Sequence, residues 1–211
     1  MNRKRLIAAA VVTLVIGGIT RADFLFGPPK NLGSVVNGPA ADCCPNLSAD
    51  ELTLYFSSGR PGGLGDYDIW FCTRPSADAA WGPPVNVGTP VNSVYYDAYP
   101  CISGDGLTLY FSEHWAYNQQ VGARPPVGST SPFDSDIWMS TRASPNAPWG
   151  TPVSAGSPPN STGAELCVSV SRDGLDLVFV AKRPGGQGYT DVHLCSRATV
   201  QEPWGPAVMR A

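Results

Sequence analysis

The residues best equipped for chemistry in this chain occur as pairs and near-copies. Asp66 and Asp68, like Asp134 and Asp136, are carboxylates two positions apart, hard oxygen donors of the kind calcium takes. Arg60-Pro61-Gly62-Gly63-Leu64-Gly65 and Arg183-Pro184-Gly185-Gly186-Gln187-Gly188 are glycine loops led by an arginine, the composition of a phosphate cradle. Six cysteines and two histidines, His114 and His193, complete the inventory.

Spacing argues against most of this chemistry. A phosphate cradle needs a helix N-terminus or a Gly-Lys-Ser/Thr tail behind the glycines, and here a strand pattern follows. The reading is a connecting turn that needs positive φ, braced by Arg60 and Arg183, which are also retained as candidate binding residues. For calcium, the third copy keeps Asp191 but has Tyr189 where the first aspartate should be. Asp68, Asp136 and Asp191 therefore read as acceptors for turn N–H groups. No Gly-x-Ser-x-Gly elbow or His/Cys metal spacing is present. No catalytic residue, metal or cofactor is expected.

These residues must be positioned by a repeat. Asp50-Glu51-Leu52-Thr53-Leu54-Tyr55-Phe56-Ser57 returns as Asp105-Gly106-Leu107-Thr108-Leu109-Tyr110-Phe111-Ser112 and as Asp173-Gly174-Leu175-Asp176-Leu177-Val178-Phe179. An aromatic-Gly-x-Pro element follows each copy at Trp81, Trp149 and Trp204, and a leading one stands at Phe26. The aromatic spacings are 55, 68 and 55 residues, and the excess of the middle copy lies between Ser112 and Trp138. Repeats of this length mean a modular array, and the insertion is a loop.

Alternation at Leu52, Leu54, Phe56 and their equivalents is the period of a strand, and Asp-Gly before it is a hairpin signal. Each copy offers four short strands, near 44–48, 52–58, 67–73 and 82–88 in the first. With 23 glycines, 21 prolines and only 15% charged residues, the chain reads as all-β: many short strands joined by many turns. Four strands per unit, repeated and marked by an aromatic, is the cue for β-propeller blades, here roughly 40–89, 95–157 and 162–210.

The pattern Asp97-x-x-Pro100-x-x-Ser103-x-Asp105-Gly106-x-x-Leu109-Tyr110-Phe111-Ser112, with Arg60-Pro61-Gly62-Gly63-x-Gly65-x-x-Asp68-Ile69, resembles the TolB-type, WD-40-like propeller repeats of exported bacterial proteins. The resemblance covers nearly all of the chain after residue 22. It implies the propeller fold and leaves function open, because propellers host unrelated activities. Three blades do not close a ring of the usual four to eight. The expectation is an open array or one completed by a second protomer, a possible homodimer. Asp50, Asp105 and Asp173, with Trp81, Trp149 and Trp204, are expected to be structural repeat positions.

Residues 1–22 read as an export signal: Arg3, Lys4 and Arg5, an uncharged run from Leu6 to Ile19, and small residues at Thr20 and Ala22. An uncleaved signal would be the sole membrane link, and the domain from 23 to 211 is expected to be periplasmic, at the cell surface or secreted. A net charge of −3 gives no basic face for nucleic acid. Cys44/Cys72 and Cys167/Cys195 share a spacing of 28, which suggests pairing within a blade. Strand geometry puts such partners roughly 14 Å apart, beyond disulfide reach, so small buried residues are the preferred role. The insertion, with His114, Trp115, Tyr117 and Arg124, is either a specificity loop or a tolerated expansion. The resulting expectation is a non-enzymatic module that binds a protein or envelope glycan through blade-end loops. The alternative is a carbohydrate-active hydrolase or lyase.

Overall fold

The structure, a computed structural model, describes residues 27–114 and 135–209. The signal expected over 1–22, and Trp115, Tyr117 and Arg124, lie outside the described residues, as does the side chain of His114. Residues 27–31 fall in a separate leading unit and carry no regular structure. The body from Leu32 onward is all-β, with no helix among the described residues.

Three antiparallel four-stranded sheets follow one another along the chain. The first holds β1 (Asp42–Leu47), β2 (Thr53–Ser58), β3 (Asp68–Thr73) and β4 (Val85–Asn86). The second holds β5 (Tyr96–Ile102), β6 (Thr108–His114), β7 (Ser135–Thr141) and β8 (Val153–Ser154). The third holds β9 (Glu165–Val170), β10 (Asp176–Ala181), β11 (Asp191–Ser196) and β12 (Val208–Met209). Strand order equals chain order in every sheet, the blade arrangement expected from the repeat. The outermost strands are shorter than expected, two residues each, because their Pro-rich approaches supply few N–H groups to the ladder.

The first strand of each blade carries a bulge. Its register slips between Cys43 and Asn46 in β1, between Ala98 and Cys101 in β5, and on β9 opposite Val178 and Val180. At the slip stand Cys44, Tyr99 and Cys167, with φ of 54°, 58° and 53°. An added residue in the left-handed region bends the strand and sharpens its twist. It also explains the Cys44/Cys167 covariation: the two cysteines fill one bulge slot, while Cys72 and Cys195 fill one buried slot on the third strand. All six cysteines are free; Cys72, Cys101 and Cys195 are buried, Cys43 and Cys44 half-buried, and Cys167 exposed.

Strand parity decides how blades stack. β5 lies across β1, β2 and β3, and β9 lies across β5, β6 and β7. Tyr55 and Ile69 of the first blade pack with Ile102, Leu109 and Phe111 of the second. Tyr110 and Ile137 of the second pack with Leu177, Phe179 and Cys195 of the third. The Leu/Phe parity thus faces the preceding blade and the Tyr/Ile parity the following one. In the first blade Leu54, Phe56, Trp70 and Cys72 are buried together with Val36.

Candidate binding surface

Antiparallel order sorts the loops into two ends. At one lie the β1–β2 and β3–β4 connections and their equivalents, which carry the Ser-x-Asp motifs. Ser48, Ser103 and Ser171 each donate from Oγ to Asp50, Asp105 and Asp173 at 2.6, 2.5 and 2.6 Å. The same carboxylates accept the N–H of Leu52, Leu107 and Leu175. These bonds hold all three carboxyls below the ordinary aspartate value, led by the serine hydroxyl.

The same end carries a triplet that the sequence reading missed. Arg74, Arg142 and Arg197 donate from Nε to the carbonyls of Glu51, Gly106 and Gly174, each at 2.8 Å. Each guanidinium lies over its blade's tryptophan, Trp81, Trp149 or Trp204, at 4.3, 4.3 and 4.0 Å from the ring centre. Trp204 is buried, at 6% exposure, whereas Trp81 and Trp149 are half-buried. Thr73-Arg74, Thr141-Arg142 and Ser196-Arg197 were the available signal. Between blades the arginines also act on tyrosine hydroxyls, Arg142 on Tyr55 and Arg197 on Tyr110. Burial raises both tyrosines above their usual value, and the arginines oppose the shift.

Two clefts open beside these triplets. The larger, about 900 Å³, lies between the first and second blades and is lined by Asp50, Asp105, Arg142, Asn146, Trp149 and Arg172. The smaller, about 340 Å³, lies between the second and third and includes Asp105, Tyr110, Arg172 and Arg197. Arg172 borders both. It is exposed and makes no ion pair or side-chain hydrogen bond among the described residues, in contrast to the arginines around it. An array of guanidinium, amide and carboxylate groups around a half-buried indole suits hydroxyl-rich or peptide-like ligands.

At the opposite end, the side chains expected to bind are committed to the fold. Arg60 donates to Val36 O at 2.7 Å, Asp42 at 2.6 Å and Ser58 Oγ at 2.8 Å, and lies over Phe56 and Trp70. Arg183 reaches Pro159 O and Glu165, the latter at 3.2 Å, and lies over Phe179. Both guanidiniums are held by contacts within the fold. Asp68 accepts from Leu64 and Gly65 N–H, and Asp191 from Gln187 and Gly188. A Cβ at Gly63 would lie 2.6 Å from the Asp68 carboxylate, so a side chain there would push that carboxylate off the turn N–H groups it accepts. His114 pairs across the strands with Tyr96 and Ser135, where the insertion leaves the sheet.

Two further clusters carry weight. Asp97, Glu113 and Asp136 are directly paired across β5, β6 and β7 and are all buried. Directly paired residues have Cα atoms about 5 Å apart, so the three acids form a row across the sheet, and none of them lines either cleft. Cys43, Cys44, Tyr99 and Cys167 lie close enough to influence one another. Burial first, then Cys43 and Cys167, pushes Cys44 up to about 12. Thiols that keep their protons at neutral pH are poor nucleophiles and poor metal ligands. Among the described residues no metal-binding group of His, Cys, Asp and Glu is assembled.

No protein-family model and no curated protein sequence matches the chain. Solved structures do. TolB from Acinetobacter baumannii is similar with a TM-score of 0.51 at 10% identity, over 83% of this chain and 33% of that one. The putative TolB from Agrobacterium tumefaciens is similar with a TM-score of 0.50 at 14% identity, over 82% and 49%. The chain therefore spans a third to a half of these structures' length. At such identities the likeness is one of fold, and that fold is the β-propeller.

Proposed function

We propose that the chain is an exported, non-enzymatic interaction module that binds a protein or envelope glycan through the loops at the Ser-x-Asp end of its blades. The observation that carries this reading is the pair of clefts that meet at Arg172, an exposed cation left uncommitted beside arginines that are all tied down. The neighbouring Arg142 and Arg197 are held by hydrogen bonds and ring contacts, so a ligand would meet donors already positioned. Co-sedimentation of the purified protein with isolated envelope glycan, alongside capture from an extracytoplasmic extract, tests it. Retention that is lost in Arg172→Ala and weakened in Asn146→Ala is expected. Equal retention of the wild type and both variants would overturn the placement.

A second reading rests on Asp97, Glu113 and Asp136, because acidic side chains on adjacent strands are the residue types that glycoside hydrolysis uses. Their burial favours a structural role over one in contact with a sugar. Turnover of aryl glycosides that Glu113→Gln abolishes would replace the binding reading with the enzymatic one.

A further inference from the structure

Both interior junctions between blades are keyed by polar groups. The lead-in turn of the following blade, Gly88 to Asn92 or Gly156 to Asn160, closes with a bond from the asparagine N–H to the glycine carbonyl, at 2.9 Å in both. The asparagine side chain then clasps the third strand of the preceding blade. Asn92 accepts from Ile69 N and donates to Ile69 O, and Asn160 does the same with Ile137, all at 2.9 Å. Asn46 accepts Ile102 N–H of the next blade at 2.9 Å, and Cys101, in the equivalent place, accepts Val170 N–H at 3.3 Å. Tyr55 and Tyr110 meet the following blade's arginine. At the first junction Ser57 Oγ also accepts the N–H of Tyr99, the bulge residue of β5, at 3.0 Å, so the incoming backbone rests on that serine.

So close an approach needs small side chains beneath it. The rows that cross the first three strands are Cys43-Ser57-Ile69 and Ala98-Ser112-Ile137, with both serines and both isoleucines buried. In the third blade the same row is Leu166-Val180-Val192, and Val178 stands where the tyrosines stand. Two of the keys are gone, and the branched side chain of Val180 fills the space a bulge backbone would take while offering its N–H no acceptor. Ser169 keeps a polar atom in the place of Asn46 and Cys101, but the rest of the face is aliphatic and is completed by Leu194 and Val208. Val192 is 59% exposed, Val208 47% and Val178 38%. A contiguous apolar sheet face open to water marks a contact surface, and this one does not suit a blade keyed like the second or third.

The charges on β10 indicate what does suit it. Alternation places Asp176, Val178, Val180 and Lys182 on this one face, with a carboxylate at one end of the strand and an ammonium just past the other. The interior counterparts, Thr53, Tyr55, Ser57 and Gly59 or Thr108, Tyr110, Ser112 and His114, carry no such pair of opposite charges. Asp176 accepts from Ser196 Oγ at 2.6 Å, and Lys182 Nζ lies 4.7 Å from the ring centre of Tyr189, so both charges are held at the rim of the face. Acid, valine, valine, base is complementary to its own reverse.

We infer that the open face of the third blade packs against the same face of a second copy of this chain, about a two-fold axis that runs across the strands level with Phe179. That axis lays each strand over its own copy in the opposite direction. Val178 then meets the partner's Val180, and Asp176 meets the partner's Lys182, once at each end. Twisted sheets stack face to face in this way about 10 Å apart. The contact is isologous, so it closes at a dimer and uses the same patch on both copies. None of the six apolar residues of the face lines either cleft, so the dimer is independent of what the clefts bind.

The test follows the whole chain by sedimentation velocity across a hundredfold dilution, in reducing buffer so that the exposed Cys167 cannot bridge copies. The wild type should run as a dimer at the upper concentration and shift toward the monomer on dilution. Val192→Glu alters a side chain that is open in the single protomer, so it should melt like the wild type yet sediment as a monomer throughout. Asp176→Lys and Lys182→Asp each set like charges face to face at both ends, and each alone should weaken the dimer by roughly tenfold or more. An equal mixture of the two variants pairs every lysine with an aspartate, so it should form mixed dimers as tight as those of the wild type. A wild type that stays monomeric throughout overturns the inference, as does a Val192→Glu variant that still dimerises. So does a mixture that associates no more tightly than its components, the outcome expected if another surface or another register joins the copies.

Discussion

The first and third blades use the same brace at different depths. In the first, Arg60 ties Val36 O to Asp42, and the paired side chains are each 12% exposed. In the third, Arg183 ties Pro159 O to Glu165, whose side chain is fully buried against an arginine that is 17% exposed. The lead-in backbone caps both acids, from Gly38 N–H to Asp42 and from Ser161 N–H and Oγ to Glu165. Chemistry and topology are shared, yet the two carboxyls move in opposite directions. Asp42 feels burial first, but bonds from Ser58, Arg60 and Gly38 outweigh it and hold the group below its ordinary value. For Glu165 burial wins over Ser161 and Arg183 and raises the carboxyl. Depth, more than partner, sets the behaviour of a repeated ion pair.

The largest expected effect of that difference in depth is at the tryptophans. Trp204 is buried beneath Arg197, whereas Trp81 under Arg74 is half-buried. Trp204→Ala should cost about 3–5 kcal/mol and Trp81→Ala about half as much, because the exposed part of a side chain leaves no cavity when removed. Urea melts of the two variants check the order. A larger loss at Trp81 would mean that the first blade, not the third, carries the tighter core.

Next come the braces themselves. Removing one partner of a buried pair costs on the order of 3–5 kcal/mol because it strands a charge, and a partly solvated pair costs less. Arg183→Met should therefore destabilise more than Arg60→Met in the same melts, since Asp42 retains some water. Equal losses would show that the guanidinium's stacking on Phe56 and Phe179, common to both, outweighs the ion pair.

Much of this comparison was legible in the sequence because it is local. Period two placed Leu54, Phe56, Leu109, Phe111, Leu177 and Phe179 on one parity, and the recurrent Asp68 and Asp191 were identified as acceptors for the turn beside them. Arg60 and Arg183 were identifiable as braces from their shared position in the glycine loops. The lead-in asparagines were not, although Gly88 to Asn92 and Gly156 to Asn160 repeat plainly. Their partners lie 23 residues earlier on another sheet, and no spacing rule joins them. The clefts at Arg172 escaped for the same reason, since they exist only between blades. Cys101 has Asn46, not a cysteine, as its counterpart; the shared property is an acceptor atom, which residue type conceals.

The smallest expected effect, and the most direct on depth, is the pH response of the two acids. A lowered carboxyl contributes stability above its unfolded value, near 3.8 for Asp42, and that contribution is lost as pH falls through the folded value. A raised carboxyl does the reverse: between 4.5 and its folded value the native state binds more protons than the unfolded chain, so stability declines as pH rises through that window. Compared with the wild type, Asp42→Asn should look more damaging at pH 7 than at pH 3. Glu165→Gln should look less damaging at pH 7 than at pH 3. Other titrating groups, His193 among them, contribute alike to wild type and variant and cancel in each difference. Urea melts at the two pH values supply both differences. If they change in the same direction, Glu165 is solvated through its brace and the contrast between the blades is one of geometry without electrostatic consequence.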